Sequence, residues 1–415
     1  MKFLNSVKIC LLVIGDLVVF YLSLFLSIFI RYQFQFDFVT FQTASFYFLP
    51  VFCFWLLIFF IGRLYELSQT RNSREFYERV VRLFIANLIV AFLYFYLVTP
   101  TLYRPKLVLV MTVLFSFLLF LFWRAVANEI IKLKTIKVYF DSSHPLVFEV
   151  KELINSAPQL GYQVSEVKTE ANFLIVERLT EGAEIKKQIL LRDFYEKLTG
   201  RVSLELLSPE WFENLLHLKN WESYEERKRI LDFLGGIFLF FISLPLWPLI
   251  ALFIKIDSPG PVIYRSVRIG KNHQPFLIYK FRTMVKDAAQ LGPNWTLKND
   301  PRITRIGKLL RLSHLDELPQ VLNIIKGDVS FVGPRPEEQK LSNLFEKEIA
   351  FYHYRFLMKP GVIGWAQINY PHGSSLDDAR KKLEYDFYYF KNRSLIFDFI
   401  IALKAWRIPF EIPTH

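Results

Sequence analysis

"FLGGIFLFFISLPLWPLIALFI", residues Phe233–Ile254, is apolar over a length sufficient to cross a bilayer, yet Pro245 and Pro248 interrupt it. A proline inside a helix removes a backbone hydrogen bond and bends the axis. Basic residues flank the run on both sides, with Arg227, Lys228 and Arg229 before it and Lys255, Arg265, Arg268 and Lys271 after it. Lys and Arg concentrate on the cytoplasmic side of membrane segments, so both ends favour the same face. Hydropathy alone permits a kinked fifth span. The prolines and the two basic flanks favour a hairpin that enters the membrane and returns to the face it left, keeping everything after it on the cytoplasmic side.

Working outward, the 415-residue chain is 53% hydrophobic with 43 Phe, too apolar for an ordinary soluble protein. Apolar stretches near residues 7–30, 45–62, 80–99 and 106–123 predict four transmembrane helices. The first has a basic tip and no small-residue cleavage site, which favours a retained anchor over a removed signal. The connection "GRLYELSQTRNSREFYERVVR" carries Arg63, Arg71, Arg74, Arg79 and Arg82. The loop after the third stretch is a few residues around Arg104, and the exit from the fourth carries Arg124, Lys132, Lys134 and Lys137. This distribution places both termini in the cytoplasm. Cys10 and Cys53 lie in apolar runs as small hydrophobes, not as a disulfide framework or a zinc site.

Three regions are expected: a four-helix transmembrane region over 1–134, a small α/β domain over 135–222, and a mainly α region over 223–415 with a re-entrant hairpin near 230–255. In the middle region "TIKVYF", "GYQVSEV", "NFLIVE" and "RVSLELL" read as short strands, and 146–156 and 183–199 as helices. A Rossmann-like layout fits, but Asp141-Ser-Ser-His-Pro follows the first strand where a glycine-rich phosphate turn would stand. The region therefore reads as a structural or oligomerising module, with a homodimer as one outcome. "NLFEKEIAFYHYRFLM" and "YDFYYFKNRSLIFDFIIALKAWRIPF" suit helices lying at a headgroup surface or packed in a core.

The chemistry concentrates in "RLSHLDELPQVLNIIKGDVSFVGPRP", residues 311–336. Pro319 predicts a helix beginning near Asp316 and ending at Gly327, with Leu315, Leu318, Leu322 and Ile325 as its buried stripe. At a helix start the adjacent acids Asp316 and Glu317 complement the dipole, and the same position keeps a carboxylate ionised for attack on phosphorus. Lys280, Arg282, Arg302, Arg305, Lys308, Arg311 and Arg335 surround the acids in sequence, and guanidinium forks match phosphate oxygens. Carboxylates beside a diphosphate imply Mg2+. The net charge of +12 is concentrated at membrane flanks and around the acids, and no nucleic-acid motif is present.

In order, the proline-broken hairpin, "SPGPVIYRSVRIGKN", "FLIYKFRTM", "LLRLSHLDELPQVLNIIKGDVSFVGPRP", "MKPGVIGWAQIN" and "YDFYYFKNRSLIFDF" resemble the bacterial sugar transferases, the monotopic polyprenyl-phosphate phosphoglycosyl transferases, nearly continuously over residues 225–410. The preceding helices and α/β region resemble the long form of that family by architecture. The resemblance implies that Asp316 attacks the β-phosphate of a UDP-sugar, expels UMP and holds the sugar phosphate until undecaprenyl phosphate takes it. Glu317 would assist at the acceptor proton or the Mg2+. Lys280, Arg282, Arg311 and Arg335 would hold phosphate or nucleotide, and Asp328 would brace the pocket. "KPGVIGWAQ" would cover the site, its Gly361 and Gly364 passing close to a ligand. Members commonly carry Ser-Pro at the hairpin break; here Leu244-Pro245 stands there with Ser243 one place earlier, so Ser243 becomes the candidate to back-bond the freed carbonyl. The sugar expected is glucose or galactose, the membrane bacterial and inner, and the role the first membrane step of an exopolysaccharide, capsule or O-antigen. An inert membrane scaffold is the opposing expectation.

Overall fold

The computed structural model describes residues 2–34, 37–70, 72–97, 106–132, 135–179, 188–218, 221–288, 300–370, 373 and 375–405. Arg71, Arg104, Lys134, residues 183–187 of the expected second helix, and the chain from Trp406 onward lie outside the described residues. The chain divides into two compact units, residues 1–194 and 195–415.

The first unit opens with α1 (Lys2–Arg31), α2 (Phe38–Ile61), α3 (Arg74–Leu97) and α4 (Lys106–Lys132). All four are long and apolar enough to cross a membrane, as the sequence predicts. They pack through aromatic rings: Phe20 lies against Phe52, Trp55 and Phe59, while Phe84 and Phe120 close the cluster from α3 and α4. Apolar side chains gain little by leaving lipid for one another, so packing shape and polar pairing must hold such helices together. One polar pairing is prominent. Asp16 of α1 is fully buried and accepts from Arg124 Nε (3.1 Å) and Nη2 (2.5 Å), Tyr65 Oη (2.8 Å) and Trp123 Nε1 (3.1 Å).

After α4 come β1 (Ile136–Asp141), α5 (Leu146–Ser156), β2 (Tyr162–Val164), β3 (Phe173–Val176), β4 (Gln188–Leu190) and α6 (Leu191–Thr199). The four strands form one parallel sheet in the order β2-β1-β3-β4. The first three strands and α5 fall where the sequence places them. The fourth does not: "RVSLELL" is a loop with a 3-10 turn at Leu204–Leu206, and β4 forms at 188–190, inside the segment expected to be helical. Alternating apolar residues misled here because Leu204 and Leu207 turn toward a core rather than toward a sheet neighbour.

That core belongs to the second unit. Residues 195–222, grouped by sequence with the α/β domain, pack there: Phe212 of α7 (Pro209–Leu218) stacks on Tyr354 at 3.7 Å, Val202 N donates to Glu384 O, and Trp365 Nε1 donates to Gly200 O. Next come α8 (Trp221–Ser243) and α9 (Leu246–Asp257), bent by 61° at Leu244-Pro245. Ser243 Oγ donates to Phe240 O and accepts from Trp247 Nε1, so it back-bonds at the break. Phe238, Phe241, Ile242, Leu249, Leu252 and Phe253 leave both helices with wide exposed apolar flanks.

The remaining elements are the hairpin β5 (Ile263–Ile269) and β6 (Pro275–Phe281), α10 (Arg305–Leu312), α11 (Val321–Lys326), β7 (Ser330–Val332), α12 (Gln339–Glu348), β8 (Gly361–Ile363), α13 (Trp365–Asn369), α14 (Leu376–Asn392) and α15 (Leu395–Ala405). Phe345, Tyr352 and Phe356 join Leu383, Phe387, Phe390 and Ile401 in the main core. The greasy C-terminal stretches therefore fill a core, although Ile396 and Phe399 of α15 remain exposed.

Candidate active site

Asp316 and Glu317 sit in a 3-10 helix, Leu315–Gln320, that runs directly into α11. His314, at φ 54° and ψ 15°, supplies a left-handed residue just before the acids, so the chain reverses sharply out of α10 and presents both carboxyls in one short turn. The 3-10 winding also moves the buried face. The fully buried positions are Asp316, Pro319, Gln320, Val321, Asn323 and Ile324, whereas Leu315, Leu318, Leu322 and Ile325, expected as the buried stripe, are half-buried. Three residues per turn followed by 3.6 shifts the stripe that a single α period predicts. Leu315 and Leu318 pack against Ile250 and Ile254 of α9, Phe281 and Leu310, seating the turn on the base of the bent helix pair.

Neighbouring acids meet different surroundings. Glu317 Oε1 accepts from Lys280 Nζ at 2.8 Å and Arg335 Nη2 at 2.6 Å. Burial alone would raise its pKa, but Arg335 and Lys280 outweigh it and hold the carboxyl well below the usual carboxylate range. Asp316 is 9% exposed and, among the described residues, its carboxylate has no hydrogen-bond or ion-pair partner. Burial, then the charge of Glu317, raises its pKa against the opposing pull of Lys280, Arg311 and His314. The acid held ionised by direct partners is thus Glu317. Asp316, expected to be kept charged by a helix start, is instead the desolvated member.

The cations are fixed from behind. Lys280 comes from β6, and burial and Arg335 lower its pKa. Arg311 of α10 donates Nε to Thr283 Oγ1 at 2.8 Å, leaning on the strand end that follows Lys280. Arg335 leaves β7 on a proline-flanked turn whose carbonyl accepts from Arg355 Nη2 at 2.6 Å, and Arg355 Nε is held by Asp386 Oδ2 at 2.7 Å. Both members of that last pair are buried.

Other residues singled out from sequence lie elsewhere. Arg282 donates Nη1 to Pro259 O and Nη2 to Ser258 O and Oγ, so it buckles the turn after α9 rather than joining the acids. Gly260, at φ 127°, leaves room for it; a Cβ there would fall 2.0 Å from Arg282 Nη1. Arg302 pairs with Asp300 at 2.7 Å. Asp328 acts at one remove, accepting from Asn323 Nδ2, while Asn323 Oδ1 accepts from Tyr279 N and its Nδ2 also donates to Leu277 O. Gly361 is explained by a close backbone approach, since a Cβ would lie 2.0 Å from Gly333 N where β7 and β8 pair in parallel.

Asn323, Arg355 and Asp386 were not picked from sequence, nor was Asp232 of α8, which accepts from Ser330 Oγ and Phe331 N. A polar residue set in an apolar run, as in "VLNIIK" and "ILDFLGG", was the available signal for Asn323 and Asp232. Arg355 and Asp386 carried no such mark.

Among the described residues no three His, Cys, Asp or Glu side chains converge as a metal cage. The Asp316 carboxylate, without a partner among the described residues, fits a different kind of cation site, one that Mg2+ would complete with phosphate oxygens and water.

A sequence profile described as Bacterial sugar transferase matches residues 223–411. The chain is 41% identical over 217 residues to the UDP-N-acetylgalactosamine-undecaprenyl-phosphate N-acetylgalactosaminephosphotransferase of Aeromonas hydrophila, covering 52% of this chain and 51% of that protein. It is 33% identical over 250 residues to the UDP-glucose:undecaprenyl-phosphate glucose-1-phosphate transferase of Escherichia coli (strain K12), covering 56% and 53%. It is 40% identical over 177 residues to the exopolysaccharide production protein PSS of Rhizobium leguminosarum bv. phaseoli, covering 41% of this chain and 88% of that protein. The match spans about half the length of the Aeromonas and Escherichia relatives. With the acid turn, its basic surround and the bent helix pair all inside the matched segment, the chain belongs to the bacterial sugar transferase family.

Proposed function

We propose that this protein transfers a hexose 1-phosphate from a UDP-sugar to undecaprenyl phosphate at a membrane surface, beginning the assembly of a surface glycan. The observation that carries the reading is the unequal pair: a desolvated Asp316 without a partner among the described residues, beside a Glu317 committed to Lys280 and Arg335. A carboxylate stripped of water and of donors keeps its lone pairs for phosphorus.

In the first displacement an Asp316 carboxylate oxygen bonds to the β-phosphorus of the UDP-sugar. The bond from that phosphorus to the bridging oxygen breaks, and UMP leaves with the electron pair. In the second, an oxygen of undecaprenyl phosphate attacks the same phosphorus and the bond to Asp316 breaks, giving undecaprenyl diphosphate-sugar and the free carboxylate. Lys280, Arg311 and Arg335 offset the charge that gathers on the phosphoryl oxygens. Glu317 keeps Lys280 and Arg335 at fixed positions and can receive a proton only at low pH. Mg2+, held by Asp316 and the diphosphate, would supply further charge neutralisation.

We also infer that α8 and α9 form a re-entrant hairpin. Twelve residues of α9 rise about 18 Å, well short of a hydrocarbon core of about 30 Å, and the basic residues at both ends support return to one face. The cytoplasmic face of a bacterial inner membrane is where UDP-sugars would meet this site.

The test combines full-length protein, Mg2+, undecaprenyl phosphate and UDP-glucose or UDP-galactose, with UDP-N-acetylgalactosamine alongside because relatives are named for it. UMP release with one of these donors is expected. Without acceptor, intact mass spectrometry should show one hexose phosphate added to the chain and absent from Asp316→Asn; a labelled Asn variant would dismiss Asp316 as nucleophile.

A further inference from the structure

Apart from the acid turn, the second unit contains a cavity of about 580 Å3 at the base of the bent helix pair. Tyr224, Lys228, Arg229, Ile230, Lys359 and Arg393 are among its walls, and none of its lining residues belongs to the acid cluster. Ile230 is 59% exposed and begins the apolar flank that continues through Leu231 and Leu234, so the mouth opens where α8 changes from polar to apolar.

Most charges on these walls are committed. Lys228 Nζ pairs with Asp398 Oδ2, Arg229 gives Nη1 and Nη2 to Ile324 O and Ile325 O, and Asp232 accepts from Ser330 and Phe331. Glu225 takes Lys271 and, at 3.6 Å, Arg393, whose guanidinium lies flat on Trp221 at 3.9 Å. Two groups have no partner among the described residues: Glu226, exposed at the rim, and the half-buried ammonium of Lys359. Burial and the nearby Arg229 charge lower the pKa of Lys359, while Asp232 and Glu225, already engaged elsewhere, only partly offset them. An inward cation without a counter-ion, beside a second cation and below an apolar rim, is chemically complementary to a phosphate whose ester chains run upward.

We propose that this cavity binds the headgroup of an anionic phospholipid, its phosphodiester on Lys359 beside Arg229 and its glycerol against Ile230 and Met358. A zwitterionic headgroup would add an ammonium to walls that already carry four basic side chains, Lys228, Arg229, Lys359 and Arg393, against three acids, Glu225, Glu226 and Asp232. The volume lies within the range of small-molecule sites, about 300–1,000 Å3.

The test is native mass spectrometry of the full chain released from detergent with phosphatidylglycerol, phosphatidylethanolamine or undecaprenyl phosphate. One phosphatidylglycerol per chain should be retained in preference to phosphatidylethanolamine. Lys359→Gln should weaken that retention about tenfold, as loss of one charge-assisted contact does, while Lys359→Arg keeps it and undecaprenyl phosphate retention does not change. Glu226→Lys, a change at an exposed rim position, should tighten phosphatidylglycerol and provides a second reading if Lys359→Gln fails to fold. Equal retention of the two phospholipids, no response to Glu226→Lys, or a loss confined to undecaprenyl phosphate in Lys359→Gln would each overturn the proposal.

Discussion

Each unit buries an aspartate, and the two are treated in opposite ways. Asp16, among the four long apolar helices, receives four donated hydrogen bonds from Arg124, Tyr65 and Trp123. Asp316, in the acid turn, receives none among the described residues, although three basic side chains stand near it. A buried charge with every lone pair engaged locks helices together and is chemically quiet. A buried carboxyl left without donors costs stability and remains available to react. The contrast separates a paired, architectural charge from one proposed to react more sharply than burial does, since both residues are nearly inaccessible.

The strongest challenge to this contrast is Asp316→Asn. UMP release should fall by about a thousandfold or more, as removal of a covalent nucleophile does. Thermal stability near neutral pH should rise at the same time. The raised carboxyl contributes stability below the ordinary carboxylate value and loses it as pH climbs through the raised value, and the amide has no such loss. A variant that is both inactive and less stable at neutral pH would contradict the reading of Asp316 as a strained, reactive group.

Arg124→Met should act on the opposite quantity. It strands Asp16 in an apolar bundle and should cost about 3–5 kcal/mol, seen as loss of monodisperse protein in detergent, with Asp16→Asn added in the same chain restoring part of it. Glu317→Gln is expected to lie between these extremes. Lys280 and Arg335 would lose their shared anion, lowering stability by about 1–3 kcal/mol and UMP release with it. In the parent protein the Glu317 contribution is present above the ordinary carboxylate value and disappears only as pH falls toward its depressed one. The smallest effect concerns Arg311→Met. Removing one cation near Asp316 should move the acid limb of the UMP-release profile further up in pH, and an unmoved limb would detach Arg311 from the acid turn.

Much of this arrangement can be read from the chain alone. The four apolar spans and the bend at Pro245 follow from hydropathy and proline chemistry, while the back-bonding Ser243 and the choice of Lys280, Arg311 and Arg335 from a longer set of basic residues come from the family resemblance. What could not be read depends on distant partners. Arg282 looks like any other phosphate-seeking arginine until Ser258 and Pro259 are seen to engage it. "RVSLELL" alternates like a strand because nothing local reveals that it lines a core built from α14 and the Tyr352–Leu357 turn. The division of labour between Asp316 and Glu317 is invisible for the same reason: their neighbours arrive from β6 and from the loop after β7, and adjacency in sequence says nothing about which carboxyl meets them.

Arg229 has a consequence for geometry at the bilayer. It grips the last carbonyls of α11 from a helix that continues, residue by residue, to Ser243 at the bend of the hairpin proposed to enter the membrane. Fourteen steps of α-helix separate Arg229 from Ser243 at the bend, a rise of about 21 Å. The acid turn opens the same segment that α11 closes, so under the proposed hairpin the height of Asp316 above the lipid would be set by helix pitch and not by a loop. On that reading the protein would carry its own depth gauge, and the phosphate of the proposed lipid acceptor would be met at one level wherever the protein drifts in the plane.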